Sequence, residues 1–304
     1  MTSEILATII RANLVGGLAI LTVLALRIPM RRAFGPELAY GLWAIPPIAF
    51  VATLMPPPVT LDDPVADPFA LARDHSAIAL AIWGVGLSLA VALFALAQLR
   101  FMASARLGRA GPSVVGVINP RIVMPSDPEA YSAEERDLIR AHERQHIARA
   151  DPRAGALATT FQALCWFNPL VHVAVNVMRL DQELACDAGV LRRRPHDRAL
   201  YARTLLKTQL AAQALPFGCH WLAHGPHPLE VRVAALRSTA RFDGLTGSVL
   251  LGVGIVSAAL LAWNAQPPGE KHPPPVIVFL EKHGGQPTVS VMLIKAPPRE
   301  TQQP

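Results

Sequence analysis

Four stretches of this chain are nearly free of charge and long enough to cross a hydrocarbon layer, and no other feature limits its fold as much. They are Ile5 to Leu26, Leu38 to Met55, Ser76 to Leu99 and Gly244 to Trp263. Roughly 17 to 25 apolar residues suffice for a helix to span a bilayer core. The 304 residues would allow two ordinary soluble domains, but 52% apolar with only 16% charged residues is too greasy for that. The sequence therefore predicts a multi-pass membrane protein, mainly α. Three spans occupy residues 1–99, a polar Arg-rich domain residues 100–243, a fourth span residues 244–263 and a short Pro-rich tail residues 264–304. The polar block is long enough to bury a core of its own. Arg11 falls inside the first stretch, which is tolerable where it can snorkel to the outer surface. That stretch lacks the basic start and the small-residue cleavage site of a signal peptide.

Orientation follows from the arginines, because short loops rich in Lys and Arg stay on the cytoplasmic side. The first connection carries Arg27, Arg31 and Arg32, and Arg100, Arg106 and Arg109 follow the third stretch. The second connection is acidic, with Asp62, Asp63, Asp67 and Asp74 against Arg73. The expected topology in a bacterial-type inner membrane has both termini outside and the polar domain in the cytoplasm. Cys165, Cys186 and Cys219 are an odd set in that block, which suits reduced thiols and not a disulfide framework. The formal net charge of +6 is accounted for by arginine at the inner membrane face, and no motif points to direct contact with nucleic acid.

Within the block, "SVVGVINPRIVMP" (113–125) reads as two β-rich runs about an Asn-Pro turn. Ser132 with Glu135 forms a capping box that opens a helix from about Ala133 to Ala150. Asp151 and Pro152 read as N-cap and first-turn proline of a second helix, and Asn168 and Pro169 repeat that punctuation for a third, ending before Pro195. Two more helices are expected, from about Arg198 to Ala214 and Pro228 to Arg237. In the tail, "VIVFLEK" and "TVSVMLIK" about His283 read as a small β-hairpin.

The chemistry concentrates in "AHERQHIARAD". His142 and His146 are four residues apart on the first helix, so both imidazoles leave one face and can share a cation. Zinc accepts such nitrogens and needs a third protein ligand while keeping a position for water. Glu143, next to a ligand without being one, is placed as a general base. The bland alternative is a solvated helix face with ion-paired histidines. For the third ligand, "LDQELACDAG" offers Glu183 and Asp187, again four residues apart. Glu183 would ligate and Asp187 would hydrogen-bond a ligating ring, unless both carboxylates simply pair with arginines such as Arg179. His172 lies about 16 Å before Glu183 along one helix, too far to share its ion. Cys186 reads as a buried, inert thiol. His220, His224 and His227, with Cys219 beside them, form a second His-rich cluster in a Gly- and Pro-containing loop.

The succession HERQH, WFNPLVH and ELACD, between the third and fourth expected spans, resembles the BlaR/MecR family of membrane metallopeptidases. The resemblance implies an inserted α+β domain with a gluzincin-type zinc site: His142, His146 and Glu183 as ligands, Glu143 as base and Asp187 supporting a ligand. It also implies regulated proteolysis in transmembrane signalling, in which a cytosolic repressor of resistance genes is inactivated. The pattern departs from those receptors after Trp263, where about 40 residues lack the Ser-x-x-Lys motif of a penicillin-binding sensor. The expected partners are the lipid bilayer, a peptide or protein substrate (a transcriptional repressor, a membrane protein or the chain itself) and a second copy of the chain in a homodimer. The rival reading is a non-catalytic receptor or scaffold that keeps the metallopeptidase fold.

Overall fold

The computed structural model describes residues 2–61, 73–107, 111–124, 129–211, 228–237, 242–270, 276–283 and 286–293. The chain forms two compact units, one of residues 1–55 with 68–265 and one of residues 56–67 with 266–304.

In the first unit, α1 (Thr2–Phe34) covers the first apolar stretch. The second does not form one long helix. It folds as α2 (Pro36–Gly41), a 3-10 turn (Leu42–Ala44) and α3 (Ile45–Ala52). Pro46 and Pro47 stand at the start of α3, where missing amide donors break the regular ladder and tighten the preceding turn. Strand β1 (Thr60–Leu61) belongs to the second unit. The third and fourth stretches form α4 (Arg73–Arg106) and, at the end of the unit, α10 (Gly244–Asn264). Among the described residues three helices, α1, α4 and α10, are long and apolar enough to cross a membrane. The second expected span, Leu38 to Met55, is thus a broken helical run.

Between α4 and α10 the chain first forms β2 (Ser113–Val115) and β3 (Arg121–Val123), an antiparallel pair with Val114 opposite Ile122. Gly116 takes a φ of 102° in the connection, and a Cβ there would come 2.7 Å from the Asn119 carbonyl oxygen, so the turn requires glycine. Among the described residues five α-helices follow: α5 (Ala133–Ala148), α6 (Asp151–Leu164), α7 (Pro169–Arg193), α8 (Arg198–Ala211) and α9 (Pro228–Ala235). The capping box at Ser132 and Glu135 is formed in both directions, and the Asn168 side chain caps α7. The expected cap of α6 is different. Its N-cap is Ala150, in the left-handed region at φ 56°, and no side chain caps it. Asp151 has other work, described below.

Ala19, Ile20 and Val23 of α1, Trp43 and Ala49 of the broken run, and Val171, Ala174 and Met178 of α7 share one buried cluster. The polar block also has a smaller core of its own, built on Leu138, Val190, Leu191, Tyr201 and Leu236. In the second unit, β1 pairs in parallel with β4 (Gly269–Glu270), and β5 (Val276–His283) pairs antiparallel with β6 (Gln286–Leu293), the expected hairpin.

Candidate metal centre

Helix α5 presents His142, Glu143 and His146, and α7 packs against it. The two helices approach closely at Gly189, where a Cβ would meet the Gln145 amide oxygen at 2.8 Å. This brings Glu183 to the histidines: its carboxylate oxygens lie 3.3 Å from His142 Nε2 and 3.5 Å from His146 Nε2. The two Nε2 atoms are 3.1 Å apart.

The other nitrogen of each ring is engaged. His146 Nδ1 lies 2.9 Å from Asp151 Oδ2, so Nδ1–H donates to that carboxylate. Asp151 is buried, and the left-handed Ala150 turns it back toward α5. His142 Nδ1 lies 2.9 Å from the Tyr201 hydroxyl, which in turn donates to Asp187 Oδ1 at 2.6 Å. Asp187 Oδ1 itself is 3.4 Å from His142 Nδ1, so Tyr201 stands between the ring and the carboxylate expected to hold it. Arg232 of α9 donates Nε and Nη2 to the two oxygens of Asp187, each at 2.8 Å, and Nη1 lies 3.0 Å from Glu183. Such a bidentate fork fixes both position and charge.

Burial and charge work against each other here. Burial would raise Glu183, but Arg232 and the two imidazoles outweigh it and hold the carboxyl well below the usual range. Burial disfavours a charged His142, yet the carboxylates of Glu183 and Asp187 prevail and raise it. Burial pushes Glu143 up against the opposing pull of both rings. Tyr201 is raised well above its ordinary value by burial and by Asp187, so it stays a neutral donor. Burial likewise keeps the Cys186 thiol protonated. It contacts Asp151 and His146 Nδ1, each at 3.4 Å.

With each Nδ1 committed as donor, both Nε2 atoms turn a lone pair toward the other and toward a carboxylate. Such a set is repulsive without a cation among its members. The separations of 3.1 to 3.5 Å fit the edges of a tetrahedron with zinc-like bonds, about 3.3 Å. His142, His146 and Glu183 therefore fit a metal ion. A second grouping of His146, Asp151 and Cys186 also has metal-type donors, but it uses the nitrogen that already donates to Asp151. His172 lies outside both groupings, its ring bonded to the Trp166 carbonyl and Gln162. Cys219, His220, His224 and His227 lie outside the described residues.

A family model described as BlaR1 peptidase M56 matches residues 7–83 and 100–236. The chain belongs to this BlaR1 peptidase M56 family. Among curated relatives, the regulatory protein BlaR1 of Bacillus licheniformis is 31% identical over 99 residues, 31% of this chain and 16% of that protein. The methicillin resistance mecR1 protein of Staphylococcus aureus (strain Mu50) is 30% identical over 101 residues, 33% of this chain and 17% of the relative. These alignments thus span about a sixth of each relative's length. No solved structure matches the chain. The M56 match extends into α9 and includes Asp151, Tyr201 and Arg232, which sequence reasoning passed over. Only Asp151 left a signal, five residues after His146 in a segment read as helix punctuation.

Proposed function

We propose that this M56 protein is a membrane-embedded zinc endopeptidase that acts in transmembrane signalling. The observation that carries the reading is the convergence of two Nε2 lone pairs and the Glu183 carboxylate at 3.1 to 3.5 Å, with Glu143 beside them. His142, His146 and Glu183 would hold the ion, which when bound supplies Lewis acidity toward a peptide carbonyl and its attacking water. Glu143, its proton affinity raised by burial, takes the proton from that water and returns it to the leaving amide nitrogen. Asp151 fixes the His146 ring directly, and Asp187 fixes the His142 ring through Tyr201.

The names of the relatives, a regulatory protein and a methicillin resistance protein, favour a regulatory substrate. A cytosolic repressor, a membrane protein or the chain itself fits, with the catalytic cluster on the cytoplasmic side of an inner membrane. The β2–β3 pair lies against α5 and offers an edge to which an extended peptide adds as a further strand. Unchanged cleavage by Val123→Pro would count against that docking mode.

The test is Glu143→Gln in the full chain. Zinc content, by elemental analysis, should stay at the wild-type level, while fragments that depend on the protein disappear from the cellular proteome, a loss of about 10²–10⁴ in rate. A variant that signals normally without cleavage would instead establish a non-catalytic receptor.

A further inference from the structure

Residues 154–178 contain no charged side chain, yet they were not expected to meet lipid. They form most of α6, the turn Cys165–Asn168 and the first ten residues of α7, a helical hairpin bounded by Arg153 and Arg179. We propose that this hairpin is re-entrant: its tip dips into the hydrocarbon of the bilayer and leaves by the face at which it entered. The inference rests on the reading that α1 and α4 cross the membrane.

Depth follows from what the tip touches. Asn168 meets Asn13 of α1 at 3.4 Å, and Leu170 lies against Gly17. Midway along α7, Asp181 accepts from Arg27 of α1 at 2.6 Å and from the Trp43 indole at 2.9 Å. The two helices therefore run side by side in the same direction. Asn13 to Arg27 and Asn168 to Asp181 each correspond to about 20 Å of helix. Arg27 opens the charged end of α1, so the turn lies about two thirds of the way through a core of about 30 Å. α4 agrees, since the Trp83 indole donates to the Leu164 carbonyl at 2.9 Å, and Trp83 lies about 25 Å along that helix from Arg100.

Non-helical backbone survives at such depth only if protein satisfies its polar groups. Four carbonyls at this turn are satisfied within the protein. The carbonyl of Leu164 is taken by Trp83, that of Cys165 by the Asn168 amide at 2.8 Å, that of Trp166 by His172 Nε2 at 3.0 Å and that of Asn168 by the Val171 amide. His172 is itself held by Gln162 at 3.3 Å, and the Trp166 indole donates to the Trp83 carbonyl at 3.2 Å. WFNPLVH is thus the tip of the hairpin, with its histidine closing the turn. Phe167 and Leu157, each about half exposed, face outward. The metal cluster, two residues beyond Asp181, lies within about one helical turn of the charged boundary.

Nitroxide labels on the full chain in phospholipid vesicles test this. On a Cys219→Ser background, with Cys165 and Cys186 buried and an otherwise unlabelled parent as control, the label is placed by Phe167→Cys or Leu157→Cys. Val85→Cys on α4 serves as the lipid reference and Glu134→Cys on α5 as the aqueous one. Labels at 167 and 157 should match 85, relaxed by oxygen and shielded from a water-soluble nickel chelate. If both match 134 while 85 reads lipid, the re-entrant hairpin is wrong and the spans stand. If 85 itself reads water, the span reading falls and the hairpin proposal falls with it.

Discussion

The two imidazoles of the cluster are held by different kinds of support. His146 relies on Asp151, which the chain itself delivers five residues later. His142 relies on Tyr201 of α8, Asp187 of α7 and Arg232 of α9, which only the folded block brings together. The first arrangement survives wherever the α5–α6 junction forms. The second requires three helices to be in place, and its charges are buried and mutually dependent. The comparison teaches that one ring reports on local structure and the other on the global fold.

Arg232→Met should break the asymmetry most severely. It leaves Asp187 buried without its counterion and strips Glu183 of the same partner, a loss of about 3–5 kcal/mol in unfolding measurements on purified protein. Asp187→Asn and Asp151→Asn should each weaken zinc about 10- to 100-fold in chelator competition. Asp187→Asn should lower the unfolding midpoint more, because it also removes the buried negative charge that Arg232 and Tyr201 share; equal shifts would refute the distinction. Tyr201→Phe comes next, at about 1–3 kcal/mol for the buried partners it leaves unpaired. Cys186→Ala should have the smallest effect, about 1 kcal/mol for the lost packing, with zinc affinity unchanged. A tenfold fall in affinity there would show the sulfur to be a ligand.

Much of this arrangement was legible because it is written in local patterns. HERQH gives the helix face, Ser132 with Glu135 gives its start, Asn119-Pro120 gives the β2–β3 turn, and the four-residue spacing of Glu183 and Asp187 marks the facing helix. Tyr201 and Arg232 were not legible, since nothing in their flanking residues distinguishes them from any surface tyrosine or arginine. Their significance arises only when α8 and α9 pack behind α5 and α7. The break within Leu38 to Met55 was not legible, because hydropathy counts apolar residues without asking whether Pro46 and Pro47 interrupt the amide ladder. Asp151 misled for the opposite reason: its neighbour Pro152 suits a helix start so well that a second use of the carboxylate left no trace.

Two residues, Arg149 and the left-handed Ala150, separate α5 from α6. A joint this short sets the rotational phase of one helix against the other. Inserting or deleting a single amino acid would swing α6 by about 100° and carry the carboxylate at 151 off its imidazole. Ala150→Gly, in contrast, suits the same backbone angles. Surface connections usually accept changes of length more readily than their neighbours do; this junction should accept a change of side chain and refuse a change of length.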